Sequence, residues 1–382
     1  MTTDLLGQPA ACRDDAKIFV SLELSKANWV IVLFRPSRGK FSHHATPGGD
    51  AVALIRFLHE QQRLEEARLG RSVQIVSCYE AGRDAFWLDR ALRAAGIANH
   101  VFDPASLLVS RRAKQVKTDR IDGEGLLRTL MALSRGEPKV VSVVRVPSVA
   151  AEDERRLTRE RERLVRERTQ HRNRITALLF TQGIGGIILD RPGWTDGLGE
   201  LRTGDGRALP PRLTAELRRE AVRLELVGDQ IKAVEAEMAN TAKAAAPQAV
   251  VNRLRQLRAI GPVFSAVLAG EVFSRDFADR RAIAAFVGLA PVPWRSGRVD
   301  CDQGIAKTGN GRARSTMIEL AWRWLMYQPQ SALSQWFRAR VGTTKGRIRR
   351  IAIVALARKL LVALWRFVVN GVVPEGAILR HI

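Results

Sequence analysis

Four carboxylates stand in segments whose predicted secondary structure could bring them together. Asp119 and Asp122 lie three residues apart in KTDRIDGEG, a spacing that places both on one face of a helix. Glu80 follows a predicted strand over 72–78, and Glu23 projects from a predicted strand over 17–24. The sequence therefore predicts an acidic cluster if these strands are neighbours and the helix packs across their ends.

A cluster of this kind would bind a cation. Two like charges about 4 Å apart repel by roughly 4 kcal/mol at an effective dielectric constant near 20, so the carboxylates need a counter-ion. Hard oxygen ligands select Mg²⁺ or Mn²⁺, and two such ions about 4 Å apart can hold a scissile phosphate. The alternative for Asp119 and Asp122 alone is a solvated helix start beside Lys117 and Arg120.

A serine in a basic segment is the second candidate for chemistry. Ser296 stands in a predicted loop, and a hydroxyl among cations suits nucleophilic attack on a phosphodiester, because the cations offset charge on the phosphoryl oxygens. The alternative is that this Ser-Gly pair only forms a turn. The cations predicted to contact nucleic acid are Arg295, Arg298, Lys307, Arg312 and Arg314 here, together with Lys117 and Arg120 beside the acids.

The first 146 residues predict the elements that must position the acids. Period-2 alternation and turn residues indicate three hairpin-connected strands, and the next segments read as helix, strand, helix, strand and a helix starting at Thr118. The order β-β-β-α-β-α-β-α is that of a ribonuclease H-like α/β domain, in which strands one and four are neighbours.

Two long charged helices are predicted after Ser148, separated by a Gly-rich stretch over 182–206. In the second, Leu217, Leu224, Ile231 and Met238 recur every seven residues, which suits an antiparallel coiled coil or an oligomer contact. A solvated spacer is the alternative.

The rest of the chain reads as mainly helical. Two apolar helical segments flank Gly261 in LRQLRAIGPVFSAVLAGEV, which is typical of a helix-hairpin-helix that holds a DNA phosphate or of an ordinary helical hairpin. The apolar run 351–369 contains three cations, so it predicts a core helix and no membrane span. The predicted domains are 1–146, the helical arms 147–247 and a C-terminal domain 248–382.

Composition narrows the class of partner. The 382 residues carry 62 Lys and Arg against 39 Asp and Glu, a formal charge of +23, which predicts a polyanionic partner.

The start of the chain lacks a signal-peptide pattern, so a cytoplasmic location is expected. Cys12, Cys78 and Cys301 lack zinc spacing, and no phosphate-binding Walker motif predicts use of ATP.

Taken together and in order, these segments resemble transposases of the insertion-sequence 110 family, in particular its 1111 subgroup. The resemblance covers nearly the whole chain and rests on FVSLELSKANW, YEAGRDAFWL, KTDRIDGEGLLRTL, LRAIGPVFSAVLAGEV and FVGLAPVPWRSGRVDCDQGIAKTGNGRARSTMIELAW. Two positions depart from the common pattern: Glu23 stands where Asp is usual, and Ala306 stands where a serine is frequent.

The resemblance implies a specific mechanism and set of partners. It implies a RuvC-like domain whose Glu23, Glu80, Asp119 and Asp122 bind Mg²⁺, and a C-terminal domain whose Ser296 forms a transient phosphoserine bond with double-stranded DNA. It further implies that a structured non-coding RNA guides the choice of DNA, and that homodimers assemble into homotetramers, in which composite sites join two subunits.

Two other functions compete with this hypothesis. A RuvC-like nuclease that resolves branched DNA by hydrolysis would form no covalent protein–DNA species. A scaffold protein that binds nucleic acid only through charge would leave the four acids unexplained.

Overall fold

The computed structural model describes residues 16–82, 85–107, 119–138, 140–189, 191, 193–246, 248–296 and 299–380. The chain divides into two units, residues 1–147 and 148–382. The first unit is built on a mixed five-stranded sheet, and the described part of the second is helical apart from one two-stranded hairpin and short bridges.

The sheet of the first unit has the strand order β3-β2-β1-β4-β5. β1 pairs with β2 and β2 with β3 in antiparallel fashion, whereas β1 with β4 and β4 with β5 are parallel. The prediction that the first and fourth strands are neighbours is confirmed, and the arrangement is consistent with a ribonuclease H-like domain. The strands are β1 (Lys17–Leu24), β2 (Asn28–Arg35), β3 (Lys40–Pro47), β4 (Gln74–Glu80) and β5 (Ala98–Phe102).

Helices cover both faces of this sheet, as the alternation of its strands requires. In β1, Ile18, Val20 and Leu22 belong to the larger core, and Phe19 belongs to a second core on the opposite face. Leu54 and Leu88 join the larger core, whereas Leu126, Leu127 and Leu130 join the second. The helices are α1 (Ala51–Leu69), α2 (Ala85–Ala94) and α3 (Asp119–Ser134). Thr118, at which the sequence predicts that this last helix starts, lies outside the described residues.

α3 approaches the sheet closely at Gly123. A Cβ atom at this position would lie 2.7 Å from Val32 Cγ2, inside the closest normal contact, and 3.7 Å from Ser21 Oγ. The Ser21 hydroxyl donates a hydrogen bond to the Gly123 carbonyl over 2.6 Å. Only glycine therefore allows α3 to lie at this distance from β1 and β2.

The second unit starts with two long helices, α4 (Val149–Phe180) and α5 (Pro211–Ala244). The side chain of Ser148 caps α4 by accepting a hydrogen bond from the Ala151 amide over 3.1 Å. The heptad residues of α5, from Leu217 to Met238, are buried, and Leu164 of α4 is buried with them. The arms are therefore a packed pair, and the solvated-spacer alternative is wrong.

Ion pairs between the arms show that they run antiparallel. Arg161 near the start of α4 pairs with Glu235 near the end of α5 over 2.6 Å, and Arg174 near the end of α4 pairs with Glu216 over 2.6 Å. The described residues of the Gly-rich stretch, including Leu189 and Leu198, close the far end of the pair over a small core.

The C-terminal part of the second unit packs around one core. Its last helix buries Leu356, Leu360 and Leu364 in that core, as predicted for the apolar run 351–369. The described helices contain none that is long and apolar enough to cross a membrane. The elements are α6 (Val250–Gln256), α7 (Pro262–Glu271), α8 (Arg280–Val287), β6 (Pro291–Ser296), β7 (Val299–Ile305), α9 (Gly311–Tyr327), α10 (Ala332–Val341) and α11 (Arg347–Asn370).

The close approach at Gly123 predicts the effect of one methyl group. Gly123→Ala should lower the free energy of unfolding of the first unit by about 2 kcal/mol, because a tightly packed site must shift to admit the side chain. Thermal or urea unfolding followed by circular dichroism measures this change.

Gly125 provides the matched control, since it lies in the same helix, is exposed, and has open space within 4 Å of the position that a Cβ atom would take. Gly125→Ala should stabilise the protein by up to about 1 kcal/mol through helix propensity. Equal responses of the two variants would contradict the steric explanation.

Candidate active site

Two of the predicted acids occupy matching positions on neighbouring strands. The parallel register of β1 and β4 pairs Ser21 with Cys78 and Leu22 with Tyr79, so the next position is Glu23 on β1 and Glu80 on β4. Adjacent strands lie about 4.8 Å apart, and both positions belong to the face against which α3 packs. Glu80 is the last residue of β4 and therefore lies within the strand, not just past its end as predicted.

The first turn of α3, which contains Asp119 and Asp122, lies at the same edge of the sheet. Ser134, its last residue, accepts a hydrogen bond from Lys17 Nζ at the start of β1 over 3.0 Å, while Gly123 lies beside Ser21. The helix therefore runs opposite to β1, and its first turn lies towards the end of β1 that carries Glu23. Asp122 directly precedes Gly123, and Asp119 is the first residue of the helix.

The described side chains of this acidic edge are Glu23, Glu80 and Asp122. Glu23 and Asp122 are partly buried, and Glu80 is exposed. Among the residues whose side chains the structure describes, no group of three His, Cys, Asp or Glu lies close enough to hold a metal ion. The side chains of Asp119 and Arg120 and the whole of Lys117 lie outside that set. The donor chemistry of the edge fits Mg²⁺ or Mn²⁺, because the described side chains Glu23, Glu80 and Asp122 offer hard carboxylate oxygens.

Ser296 lies at the tip of a β-hairpin in the second unit. It is the last residue of β6, where its backbone is paired with Val299 of β7, so the loop predicted around it is in fact the end of a strand. Its side chain, Gly297 and Arg298 lie outside the described part of the structure.

The hairpin presents an exposed tryptophan two positions before Ser296. Trp294 is 50% exposed, which is unusual for so large an apolar side chain. Alternation along a strand puts Trp294 and Arg295 on opposite faces of the hairpin. The exposed Arg295 pairs with Asp300 of the opposite strand over 3.1 Å.

The loop between β7 and α9 is fixed against the end of α8 by backbone contacts. The Ala306 amide donates to the Ala290 carbonyl over 2.9 Å, and the Asn310 amide donates to the Phe286 carbonyl over 2.8 Å. Gly309 has a φ of +85°, and a Cβ atom there would overlap the Phe286 carbonyl. This glycine is therefore required by both conformation and space.

Two of the cations predicted near Ser296 shape this loop. Lys307 has a φ of +58°, and its carbonyl accepts a hydrogen bond from Arg314 Nη1 over 2.8 Å. Arg314 thus holds the loop, while the side chain of Lys307 is exposed. The contribution of these cations to nucleic-acid binding remains a prediction.

A buried carboxylate connects this loop to the arms. Glu271, at the end of α7, pairs with Arg159 of α4 over 3.1 Å and lies 3.8 Å from Arg312 Nε of α9. It also accepts a hydrogen bond from Asn310 Nδ2 over 3.1 Å, and Asn310 in turn caps α9. Arg312 pairs more closely with Glu162 of α4, over 2.8 Å.

The environment of Glu271 favours its charged form. Burial by itself raises the pKa of the carboxyl. Its neighbours lower the pKa by more than burial raises it, through the hydrogen bond and charge of Arg159, the hydrogen bond from Asn310 and the charge of Arg155. The net pKa lies below the ordinary value of 4.5. Glu271 therefore remains a carboxylate that neutralises surrounding guanidinium groups.

The predicted helical hairpin around Gly261 is present. Residues 257–261 join α6 to α7, and Gly261 is the residue before Pro262, the first residue of α7. The amide of Arg258 donates to the Ile378 carbonyl over 3.1 Å, so the C-terminal segment supports the turn. Phosphate binding at this turn stays a prediction.

Three residues of this region were not predicted from the sequence: Trp294, Glu271 and Asn310. A signal existed for Glu271, because a single acid in the apolar segment VFSAVLAGEV requires a buried partner. Asn310 precedes the helix GRARSTMIELAW at the position where asparagine is a preferred cap. For Trp294, the sequence gives no sign that this side chain is exposed.

The acidic edge predicts that Asp122 contributes to cation binding. Asp122→Asn should weaken binding of Mn²⁺, measured by electron paramagnetic resonance of the free ion, because it removes one anionic oxygen ligand. Glu124→Gln is the control on the same helix, since the Glu124 carboxylate lies 3.2 Å from His43 and 3.8 Å from Arg128. Equal Mn²⁺ affinity of wild type and Asp122→Asn would contradict the assignment.

The Glu271 network predicts a large loss of stability. Glu271→Ala should lower the free energy of unfolding by about 2 kcal/mol, because it removes the buried carboxylate that Arg159 contacts and leaves Asn310 Nδ2 without this acceptor. Glu167→Ala, which removes a partly exposed pair with Arg163, should cost less than about 1 kcal/mol.

The same pair of proteins has a predicted pH dependence. The folded-state pKa of Glu271 lies below 4.5, so its contribution is complete above that pH and is lost as the pH falls through the folded-state value. The difference in melting temperature between wild type and Glu271→Ala should therefore shrink between neutral pH and about pH 3. A constant difference over that range would show that the carboxylate charge is not responsible.

Comparison with known proteins identifies the relatives of this chain. A model of the family described as Transposase IS116/IS110/IS902 matches residues 251–335, which include the hairpin of Ser296 and the loop anchored by Asn310. The chain is 49% identical over 385 residues to the putative transposase y4rJ of Sinorhizobium fredii, with 97% of each protein covered. It is 28% identical over 300 residues to a probable family 20 transposase of Pseudomonas aeruginosa, covering 76% of this chain and 82% of that protein. It is also 27% identical over 225 residues to the transposase for insertion sequence element IS1328 of Yersinia enterocolitica, covering 57% and 63%. Through its similarity to y4rJ over almost its full length, the chain belongs to the IS116/IS110/IS902 family of transposases.

Proposed function

We propose that this transposase cuts and rejoins DNA by transesterification, with Ser296 as the nucleophile and a divalent cation held by Glu23, Glu80, Asp119 and Asp122. The observation that carries the proposal is the matched register of Glu23 and Glu80 at one sheet edge, towards which α3 directs its first turn. A protein that binds nucleic acid only through charge has no need of such an edge.

The residues of the acidic edge would bind and position the cation. Bound there, Mg²⁺ or Mn²⁺ would offset negative charge on the phosphoryl oxygens and orient the scissile phosphate. Glu23 has one methylene more than the aspartate usual at this position, and its place on a strand paired on both sides fixes its backbone. In this proposal the chain supplies the four carboxylates, and the bound cation offsets the repulsion between them.

The serine step conserves the number of phosphodiester bonds. Ser296 Oγ forms a bond to phosphorus while the bond from phosphorus to a deoxyribose oxygen breaks, and the leaving oxygen takes up the proton lost by the hydroxyl. In the reverse step a free deoxyribose hydroxyl attacks the phosphoserine, which restores the serine and rejoins a strand. The proposed exchange needs no ATP, because one ester replaces another.

The surroundings of the hairpin support this assignment. Lys307 is exposed on the loop that follows β7, and Trp294 is exposed on the hairpin itself. A cation can bind phosphate oxygens, and an exposed aromatic ring can stack on a base. Arg314 and Arg312 have a structural role instead. Arg314 holds the loop through its hydrogen bond to the Lys307 carbonyl, and Arg312 holds α9 through its ion pair with Glu162.

Guidance by an RNA and assembly into dimers and tetramers complete the proposal. The formal charge of +23 suits a protein that binds two nucleic acids at once, and the resemblance of the sequence to the insertion-sequence 110 family supports both features. In this proposal, base pairing with the RNA selects the DNA, and the protein contacts mainly backbones.

The test is a search for the covalent intermediate. Protein, Mg²⁺, RNA from the element and matching DNA labelled at one end are mixed, denatured and separated by electrophoresis. Wild type should give a protein–DNA adduct, and Ser296→Ala should give none, because the attacking oxygen is absent. Omitting the RNA, or using DNA that does not match it, should also remove the adduct.

Ser315→Ala is the matched control, since Ser315 is an exposed serine of the same unit whose hydroxyl donates to the Gly311 carbonyl over 3.1 Å. It should form the adduct like wild type. Cleavage without an adduct in every protein would instead support a hydrolytic nuclease, and an adduct in Ser296→Ala would exclude this serine as the nucleophile.

A further inference from the structure

The end of the second unit contains a long stretch with cations and no acids. Between Glu319 and Glu375 the sequence has no Asp or Glu, although acids make up 39 of the 382 residues. The cations of this stretch therefore have no acidic neighbours in sequence that could neutralise their charge. The ten cations of this stretch are Arg323, Arg338, Arg340, Lys345, Arg347, Arg349, Arg350, Arg358, Lys359 and Arg366.

Six of these cations gather where α10 turns into α11. We name them the α10–α11 basic patch, and all six are exposed. The ten residues 342–351 are likewise all exposed, so the turn between the two helices and the start of α11 lie at the surface of the unit. The members of the patch are Arg338, Arg340, Lys345, Arg347, Arg349 and Arg350.

Within the described part of the chain, these cations have no acidic partners. None of the ion pairs found there includes a member of the patch, whereas cations of α4 and α5 such as Arg163 and Lys232 pair with acids three or four positions away. Six unneutralised charges within residues 338–350 repel each other, which costs stability unless an anion binds. The patch therefore has the character of a binding surface for a polyanion.

The patch stands on a rigid support. α11 has 24 residues, and its later turns are buried in the core through Leu356, Leu360 and Leu364. At 1.5 Å per residue this helix is about 36 Å long, so its exposed first turns are held at a fixed place by the packed remainder. Cations held on a fixed helix suit a regular, rigid polyanion better than a flexible one.

The aromatic residues beside the patch argue against a single strand as the ligand. Arg349 lies over the ring of Trp322 at 5.0 Å, and Lys359 lies over the ring of Trp336 at 4.7 Å. Both tryptophans are partly buried, so their faces are not open platforms for unpaired bases. What the patch offers a nucleic acid is therefore its cations, which can bind phosphate oxygens.

We propose that the α10–α11 basic patch binds the phosphate backbone of duplex DNA without reading its sequence. The choice of duplex DNA rests on the function proposed above, in which double-stranded DNA is the substrate. All six cations of the patch follow Ser296 in the sequence. They also lie outside the region matched by the family model, which ends at residue 335. The role of the patch is to hold the DNA, and it takes no part in the chemical step.

The test uses three substitutions in the patch and three matched substitutions elsewhere. The patch variant carries Lys345→Gln, Arg347→Gln and Arg350→Gln and leaves Arg349 on its tryptophan. The control carries Arg156→Gln, Arg163→Gln and Lys232→Gln, which remove the same charge from exposed cations that already have acidic partners. Circular dichroism and thermal melting confirm that both remain folded.

The measurement is the salt dependence of affinity for a 30-base-pair duplex of arbitrary sequence. The slope of log K against log [NaCl] should become less steep by about 0.9 for each phosphate that the protein no longer binds, and so by nearly 3 in the patch variant. The control should keep the wild-type slope. An unchanged slope in the patch variant overturns the proposal.

Parallel titrations with duplex RNA and single-stranded DNA of the same length test the choice of ligand. A loss confined to RNA would mean that the patch binds RNA and would overturn the assignment to DNA. The covalent-adduct assay is independent of this binding measurement. A protein that binds through the patch but forms no adduct would retain this inference and lose the serine mechanism.

Discussion

The contact of the α3 backbone with β1 and β2 is the constraint on which the acidic edge depends. A helix normally stands off a sheet by the length of its side chains, but at Gly123 it lies close enough for a hydrogen bond from the Ser21 side chain to the helix carbonyl. A second contact, from Cys78 Sγ to the Leu126 carbonyl over 3.7 Å, repeats the arrangement one strand away. These contacts fix the rotation of α3 and therefore which of its residues adjoin Glu23 and Glu80.

The second unit depends in a similar way on buried carboxylates. Glu271 joins α4, α7 and α9, and Glu220 in the arms accepts a hydrogen bond from Arg223 over 2.6 Å and lies 2.7 Å from His171 Nδ1. A buried acid of this kind stabilises the fold only while its cationic partners surround it. Glu271 and Glu220 thus form internal contacts, and they are not available to neutralise cations at the surface.

The distribution of charge follows from this division. In the arms, acids and cations alternate along the helix surfaces and pair within one turn, so the net charge there is largely neutralised locally. Beyond Glu319 no acid occurs until Glu375, and the positive charge of that stretch has no neighbour in sequence to offset it. The total of +23 is therefore concentrated at particular surfaces, and this concentration is what a polyanion would contact.

The order of the elements, the heptad face of α5, the burial of α11 and the excess of positive charge could all be predicted from the amino-acid sequence. These properties follow from local periodicity and composition, since alternation in β1 already separates Ile18 and Val20 from Phe19 and Ser21. The tertiary structure alone decided that Glu23 lies level with Glu80, that α3 runs back along β1, and that Glu271 contacts Arg159 and Asn310. Strand register and helix rotation are set by hydrogen bonds and packing between residues far apart in the chain, to which no local pattern is sensitive.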